Sequence, residues 1–382
     1  MTCPLCGGSS IWEFFEMNGV PTQDGKIWPT KDEALHSPVG DIQLVFCRNC
    51  TYIWNSVHDP AKVDFVGYEF SLEHSARFRA FTEELAKRLI EGYDVRRKTV
   101  IDVGCGKGQF LRKLVQIGDN RGIGFDPSYA PPPGGEIPDL VGYRDYYQDR
   151  YTDLSADLFV CRHVIDILGD PALLPQLMRR AMNGKSVAYI EVPDGVYTFG
   201  SRLIWNVVYE HKSWFTQPAL AFLLQKCGYR VLRLEHCWND EYLGIDVAPD
   251  ETNPTFPPPS EAQAVESTLL RFVESVNETV RDWQGRFARL RDSDQTMAIW
   301  GAGARAITLL NLCDPGDSLV KVIDVNPGRQ GLFLPRTVQE IVAPESLGNN
   351  WPEVVLISNP TYAPEIEAQA RELGFKGEFW SL

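Results

Sequence analysis

The chain has 382 residues, and at about 150 residues per domain this length predicts two or three domains. Its composition, with 44% hydrophobic, 23% charged and 11% aromatic residues, is that of a folded globular protein and excludes a disordered or fibrous chain. The formal net charge of −14 opposes binding to polymeric nucleic acid or to an anionic membrane. A small anionic ligand in a local pocket stays compatible with this charge.

The sequence has no apolar run close to the roughly 18 residues that span a bilayer. Its first residues lack the basic start and the apolar stretch of a signal peptide, so we expect a cytoplasmic protein with no membrane partner. Nine cysteines are an odd number, which fits poorly with a complete disulfide framework. Reduced thiols together with a metal site agree better with this count.

The predicted elements alternate along the chain after a first helix over residues 75–92, whose apolar side chains recur at helical spacing. A strand over 99–103, a glycine turn over 104–108 and a helix over 110–117 come next. Further predicted strands cover residues 122–125, 157–161, 187–191 and 230–234. Alternation of this kind is typical of an α/β protein with a largely parallel sheet.

Four prolines within residues 250–259 predict an extended linker between domains. A long amphipathic helix over 260–291 follows it. From residue 296 the pattern of strand, glycine turn and helix begins again, with predicted strands over 297–300 and 321–325. The sequence therefore predicts a second α/β unit after the first.

Four cysteines in the first fifty residues have the spacing of a metal site. They form two CxxC pairs that are separated by 40 residues, Cys3 with Cys6 and Cys47 with Cys50. Zinc takes four thiolates in a tetrahedron, and the two-residue spacer lets both thiolates of a pair reach one ion. A redox CxxC would need only one pair. With all four positions filled by cysteine, we expect a structural zinc ion and not a catalytic one.

A strand that ends in an acid and a glycine-rich turn indicates a nucleoside-binding site. Asp102 precedes a GxGxG turn, and Asp126 ends a second strand 24 residues later, where a carboxylate can hold a ribose diol. This arrangement resembles the class I S-adenosylmethionine (SAM) dependent methyltransferases. The resemblance implies cofactor contacts by the following residues: Asp102, Gly104, Cys105, Gly106, Gly108, Asp126, Pro127, Asp145, Tyr146, Cys161 and His163.

The segment from Trp205 to Thr216 concentrates aromatic and titratable side chains after the strand that ends near Glu191. Tyr209, Glu210 and His211 could form an acid/base set, because a histidine near neutral pKa can remove a proton while its neighbours orient it. We select Tyr68, Trp214, Tyr242 and Arg305 as candidate substrate contacts.

Together these blocks resemble the C-methyltransferase family whose best-known members methylate deoxysugar nucleotides at a carbon next to a ketone. The resemblance implies that His211 is the general base, that Glu210 assists it and that a donor such as Tyr209 stabilises the enolate oxygen. Family members commonly have Leu-Glu-His after the fourth strand, where this chain has Ile165, Asp166 and Ile167. O- or N-methylation of a small acceptor is the alternative reaction.

The family organisation implies an α/β fold in which a class I methyltransferase domain lies between a small zinc-binding domain and a C-terminal Rossmann-like domain. The corresponding boundaries here are 1–66 for zinc binding, 67–250 for SAM and methyl transfer, 251–295 for the linker and long helix, and 296–382 for the Rossmann-like domain. We expect a small-molecule substrate and a monomer or homodimer.

The second glycine turn leaves two other functions open. Gly301, Gly303 and Ala306 fit GxGxxA, and Asp324 follows about twenty residues later, which by itself indicates a dinucleotide such as NAD and an oxidoreductase. In the family interpretation this unit only helps to enclose the substrate, with Arg305 and a helix start available to an anion. A non-catalytic zinc and SAM-fold scaffold is the third possibility, although Asp102, Asp126 and the glycines are all present.

Overall fold

A computed structural model describes residues 1–23, 25–66, 68, 71–131, 137–251 and 253–382, and arranges them around three β-sheets. The N-terminal part, residues 1–66, contains β1 (Ile11–Pro21), α1 (Lys31–Leu35), β2 (Val39–Cys47) and β3 (Ile53–Asn55). The central part follows, with its elements in the order α2 (Ala76–Gly92), β4 (Thr99–Val103), α3 (Gln109–Gly118), β5 (Arg121–Phe125), β6 (Leu140–Tyr143), β7 (Leu158–Arg162), α4 (Leu173–Ala181), β8 (Val187–Pro193), α5 (Gly195–Gly200), β9 (Ser213–Trp214), α6 (Gln217–Lys226), β10 (Tyr229–Cys237) and β11 (Tyr242–Pro249).

The C-terminal part begins with the long helix that the sequence predicts. Its elements are α7 (Pro259–Asp292), β12 (Met297–Trp300), α8 (Ala304–Leu312), β13 (Leu319–Ile323), β14 (Ile341–Val342), β15 (Val354–Ile357), α9 (Ala363–Glu372) and β16 (Glu378–Ser381). The predicted linker 250–259 precedes α7, and its Thr252 lies outside the described residues. None of the helices in the described ranges combines the length and the apolar character that a membrane span requires.

The central sheet has seven strands in the order β10-β11-β8-β7-β4-β5-β6. The pairs from β8 to β6 are parallel, whereas β11 runs antiparallel to both β8 and β10. The prediction of an α/β fold with a largely parallel sheet is confirmed. A parallel sheet places the carboxyl ends of its strands along one edge, and ligands bind there at the point where the strand order reverses. Here that point lies between β4 and β7.

Alternating side chains of β4 explain why the central sheet is buried on both faces. Ile101 and Val103 pack into one apolar cluster with Phe125 and Phe159, while Val100 packs into another with helices α2 and α3. Successive residues of a strand point to opposite faces, so an uninterrupted apolar strand has to be covered on both sides. Asp102 is an acidic residue within this buried strand, and it lies near the carboxyl end of the strand.

The N-terminal sheet is completed by a strand from the central part. Its order is β1-β2-β3-β9, and β9 pairs with β3 through Ile53 opposite Trp214 and Trp54 opposite Ser213. Helix α7 covers the same region, since Phe272 packs edge-on against Phe15 of β1. The predicted zinc-binding and methyltransferase segments therefore share one sheet.

The C-terminal sheet is wholly parallel, in the order β14-β13-β12-β15-β16. A buried ion pair joins it to the central part, with Arg305 Nη2 2.9 Å from Glu241 Oε2. The same guanidinium donates to Asn206 and Asn359, at 2.8 and 3.0 Å. Thr361 donates a further hydrogen bond of 2.6 Å to Glu241, so both partners of the ion pair are held from two parts of the chain.

We predict that Arg305→Met lowers the free energy of unfolding by about 3–5 kcal/mol, because it leaves the Glu241 carboxylate buried without its charge partner. Urea unfolding followed by tryptophan fluorescence measures this change. The matched control is Lys321→Met, which removes the half-exposed ion pair of Lys321 with Glu340 and should cost less than about 1 kcal/mol. Equal losses in the two variants would contradict the prediction.

Candidate active site

A glycine turn connects β4 to α3 at the switch point of the central sheet. Gly104, Gly106 and Gly108 have φ values of 77°, 55° and 77°, a left-handed conformation that glycine adopts without strain. A β-carbon at Gly104 would overlap the side chain of Val164, whereas one at Gly106 would have no heavy atom within 4 Å. The turn therefore packs against the loop after β7 on one side and is open at Gly106.

Two acids lie close to the glycine turn. Asp102 is buried, and this burial raises the pKa of its carboxyl to about 7; Arg162 opposes the shift and the nearby Asp126 adds to it. Asp126 accepts a hydrogen bond of 2.9 Å from the Gly106 amide and two more from Ser128, of 2.7 and 2.6 Å. The turn and the two acids thus form one connected group at the carboxyl ends of β4 and β5.

Asp145 and Tyr146, which we expect to contact the adenine, follow Asp126 in the sequence. Asp145 accepts hydrogen bonds from its neighbour Tyr146, at 2.9 Å, and from Tyr151, at 2.6 Å, and it pairs with Arg150. The hydrogen bond from Tyr151 lowers the pKa of Asp145, with help from Arg150. The Tyr146 side chain is half exposed, and the Pro127 carbonyl accepts a hydrogen bond from Arg144.

The predicted cysteine contacts are buried. Cys161 lies fully inside the apolar core at the end of β7, and burial raises the pKa of its thiol. Cys105 lies in the glycine turn, where a β-carbon on Gly124 would be 2.7 Å from its sulfur. Both thiols are therefore packed inside the protein.

A buried polar cluster surrounds Glu191 at the end of β8. Its carboxylate lies 2.7 Å from Arg162 Nη2 and 3.0 Å from His163 Nε2, and it accepts a hydrogen bond of 2.6 Å from Tyr189. Burial alone would raise the pKa of Glu191, but Arg162 and His163 lower it well below its usual range. His163 itself has a left-handed φ of 55°, a strained conformation for a non-glycine residue, and its ring lies edge-on to Tyr242 at 4.4 Å.

His211 lies beside Asp166, a carboxylate in the loop after β7. The distance from His211 Nε2 to Asp166 Oδ2 is 3.7 Å, and the Asp166 side chain is only 1% exposed. Burial lowers the pKa of His211; Asp166 opposes that shift and His163 adds to it. The imidazole side chain is 23% exposed. Because its pKa is lowered, the ring is neutral near neutral pH.

Glu210 and Tyr209 face the N-terminal part. The Glu210 carboxylate accepts hydrogen bonds from the Gly25 amide, at 3.0 Å, and from the Tyr68 hydroxyl, at 2.8 Å. The Tyr209 hydroxyl accepts from the Asp59 amide at 2.9 Å, and the tyrosine ring is buried and stacked on His58. The structure thus brings the predicted Tyr68 to Glu210.

Two of the predicted substrate contacts have other partners in the structure. Trp214 is 1% exposed and belongs to the core of the N-terminal sheet through strand β9. The charge of Arg305, which we expected to face an anion, is paired with Glu241 instead. The sequence patterns did not show these partners, because both side chains make contacts between parts of the chain that are far apart in sequence.

Asp166, Arg162 and Glu191 are the polar residues of the site that motif reasoning missed. A signal for Asp166 was present, since it stands in the segment 165–167 that departs from the family pattern. Arg162 and Glu191 terminate apolar strands and carry no motif of their own. Their position at the carboxyl ends of β7 and β8 is the feature that could have identified them.

The four predicted cysteines converge. All four sulfur atoms lie within 4.8 Å of one another, with Cys3 to Cys50 at 3.7 Å and Cys6 to Cys47 at 3.6 Å. Zinc bound to four thiolates at about 2.3 Å requires sulfur-to-sulfur distances of roughly 3.8 Å, so this set fits a tetrahedral ion. The Gly8 amide donates to the Cys6 sulfur at 3.4 Å, as expected for a thiolate acceptor.

Two family models match the chain, one over each α/β unit. Residues 72–234 match a methyltransferase domain, and residues 261–380 match a C-methyltransferase C-terminal domain. The chain is a SAM-dependent methyltransferase. The two matches together support a SAM-dependent C-methyltransferase family, and the second glycine turn lies within the C-methyltransferase match. No curated protein sequence matches this methyltransferase.

Solved structures of methyltransferases resemble part of this chain. A 1,6-didemethyltoxoflavin-N1-methyltransferase from Burkholderia thailandensis is 12% identical, with 46% of this chain and 81% of that chain covered and a TM-score of 0.36. A SAM-dependent methyltransferase from Mesorhizobium loti is 16% identical, with coverage of 44% and 97% and a TM-score of 0.35. At such TM-scores these likenesses do not support an assignment of substrate.

We predict that Gly104→Ala lowers the free energy of unfolding by about 2–4 kcal/mol, since the left-handed backbone and the overlap with Val164 both oppose a β-carbon. Gly106→Ala is the control, because it has a similar backbone but open space, and should cost about 1 kcal/mol. Val164→Ala should recover part of the loss in the Gly104 variant only. A recovery of the same size in both variants would show that overlap with Val164 is not the cause.

Proposed function

We propose that this methyltransferase adds a methyl group to a carbon next to a ketone of a small substrate such as a nucleotide sugar, with His211 as the general base. The observation that carries the proposal is the place of His211 next to Asp166. Asp166 stands two residues after Val164, the side chain that packs on Gly104, so the base lies beside the loop that covers the glycine turn. A base at that place can reach an acceptor held against the cofactor.

The residues at the switch point fit SAM. The buried Asp102 has an elevated pKa, and a cation beside it would favour its charged form. We propose that Asp102, Gly104, Cys105, Gly106 and Gly108 hold the methionine and ribose portions. The ribose hydroxyls would be bound by Asp126 beside Pro127, the adenine by Asp145 and Tyr146, and the inner side of the cofactor would be closed by Cys161 and His163.

The reaction needs a proton acceptor and a carbon nucleophile. SAM supplies an electrophilic methyl group on a sulfonium. His211 takes the proton from the carbon next to the ketone, and the electron pair of that C–H bond remains with the substrate as an enolate. The enolate carbon then uses the pair to bond the methyl group, while sulfur keeps the electrons of the bond that breaks.

The residues near His211 have different roles in this proposal, either in the structure of the site or in contact with the substrate. Glu210 is bound to Tyr68 and to the Gly25 amide, which supports a role in positioning Tyr68 at the substrate. The buried ring of Tyr209 and its hydrogen bond from Asp59 favour a structural role over donation to the enolate oxygen. Tyr242 remains a candidate substrate contact through its place against His163.

We predict that His211→Ala lowers turnover by about 10² or more, the scale of lost general-base catalysis, and leaves SAM affinity nearly unchanged. A screen of small-molecule ketones with isotope-labelled SAM supplies the acceptor, and NMR of the product locates the new methyl group. His36→Ala is the control, because that histidine is largely exposed at the C-cap of α1 and far from His211 in sequence.

Three outcomes would contradict the proposal. Unchanged turnover in the His211 variant would remove His211 from the role of base. A methyl group found on oxygen or nitrogen in the product would replace C-methylation by the alternative reaction, with His211 deprotonating a hydroxyl or an amine. Stoichiometric NAD binding without SAM binding would contradict methyl transfer altogether.

We also propose that Cys3, Cys6, Cys47 and Cys50 bind a structural zinc ion, on the basis of their sulfur-to-sulfur distances. When bound, zinc would join the start of the chain to the turn between β2 and β3. The ion has no open position in a set of four thiolates, so none of the methyl-transfer chemistry involves it.

We predict one zinc ion per chain in the purified protein and less than about one tenth of that content in Cys47→Ser, together with a lower unfolding temperature. Elemental analysis and a thermal unfolding curve measure the two quantities. Cys227→Ala is the control, since that buried cysteine lies outside the cluster and should leave the zinc content unchanged. Zinc retained at full content in Cys47→Ser would contradict the assignment.

A further inference from the structure

Asp166 contacts the segment that contains His211 in two ways. Its backbone carbonyl accepts hydrogen bonds from the amides of Lys212 and Ser213, both at 2.9 Å. Its carboxylate lies 3.7 Å from His211 Nε2. The same residue therefore fixes the backbone just after His211 and places a negative charge at its ring.

The carboxylate of Asp166 has no other use within the described ranges. Both of its oxygen atoms are buried and lack a hydrogen-bond partner there, and the same is true of His211 Nδ1. A buried carboxylate without hydrogen bonds is costly, because it loses its hydration and gains nothing in return. Such a group indicates a site at which charge develops during function.

The other titratable groups around His211 do not supply a negative charge to its ring. His163 is paired with Glu191 at 3.0 Å, so the charge of Glu191 is directed to His163 and Arg162. Burial, followed by the nearby Lys212, lowers the pKa of His58 to about 4, which keeps His58 neutral. The Lys212 ammonium itself donates to the Asn55 carbonyl at 2.5 Å.

We propose that Asp166 is a positioning residue for His211: it orients the imidazole with Nε2 toward the carboxylate and stabilises the imidazolium that forms during methyl transfer. This inference rests on the proposed function. The proton of the acceptor carbon moves to the imidazole, and its C–H electron pair stays on the substrate. The imidazolium is then held by the Asp166 charge until it releases the proton to water.

The 3.7 Å separation suits this role. It exceeds the length of a hydrogen bond, so the neutral imidazole is not held tightly, but it is short for an attraction between opposite charges. The contact strengthens once the ring becomes positive. Differential stabilisation of this kind lowers the barrier, because it is greater after proton transfer than before it.

The test is the titration of His211 in Asp166→Asn, a variant of nearly the same shape without the charge. We expect the pKa of His211 to fall by about one unit or more, as for the loss of an opposite charge within a few ångströms. NMR of protein labelled at its six histidines follows the titration, and the His211→Ala spectrum assigns the signal. SAM affinity should change less than about twofold, because Asp166 is not among the proposed cofactor contacts.

Two variants distinguish the effect of the Asp166 charge from an effect on the structure. Asp166→Glu keeps the charge and should retain most of the His211 pKa, whereas Asp170→Asn removes an exposed carboxylate from the same loop and should leave that pKa unchanged. If Asp166→Asn does not fold, Asp166→Ser is the second uncharged variant, with the same expected fall. An unchanged His211 pKa in a folded uncharged variant would overturn the proposal.

The pH dependence of methyl transfer gives the second measurement. A base with a lower pKa stays deprotonated to lower pH, so the acidic limb of kcat should move down by the same amount in Asp166→Asn, and the plateau should fall about tenfold or more. An unmoved acidic limb would also overturn the proposal. A fully active His211→Ala would refute the proposed base, yet it would leave the NMR result intact, so the two failures are distinguishable.

Discussion

The place of the segment that contains His211 depends on a short antiparallel pairing between β9 and β3. Two buried hydrogen bonds between side chains reinforce it, from Tyr52 to Ser213 and from Thr51 to Thr216, both at 2.6 Å. Phe215 continues the segment by accepting a hydrogen bond from the Gly195 amide at 2.8 Å. Strand β3 begins three residues after Cys50, so the cysteine cluster lies next to the strand that pairs with β9. A metal at that cluster would support the base from a distance, without taking part in the reaction.

Asp102 and Glu191 lie near a buried cation, whereas Asp166 does not within the described part of the chain. Arg162 is shared: it pairs directly with Glu191 and also opposes the rise in the pKa of Asp102. The two acids therefore depend on one buried cation. The pKa of Glu191 is lowered and that of Asp102 is raised, because Glu191 contacts the cation directly. Asp166 has no such cation, and only a protonated His211 would provide one. In the proposed mechanism, Asp166 gains its charge partner when His211 takes up a proton.

Local patterns allowed much of the fold to be predicted, because periodicity and turns act over a few residues. The strands over 99–103 and 297–300 and the long helix after the linker appear within one residue of their predicted bounds. The pairing of β9 with β3 could not be predicted, since a two-residue strand has no periodicity and its partner lies 160 residues earlier. The same limit applied to the site: the glycine turn follows from spacing, whereas the contact between Asp166 and His211 arises only from folding.

The two glycine turns of the chain show why such a motif does not by itself define a cofactor site. Both are closed by the same hydrogen bond, from Gly106 to Asp126 in the central part and from Ala302 to Asp324 in the C-terminal part, each at 2.9 Å. Their surroundings differ, because Gly301 lies directly against the Ser358 side chain. Arg305, in the first turn of α8, is directed to Glu241. The guanidinium that we expected to be available to an anion is thus used to join two parts of the chain.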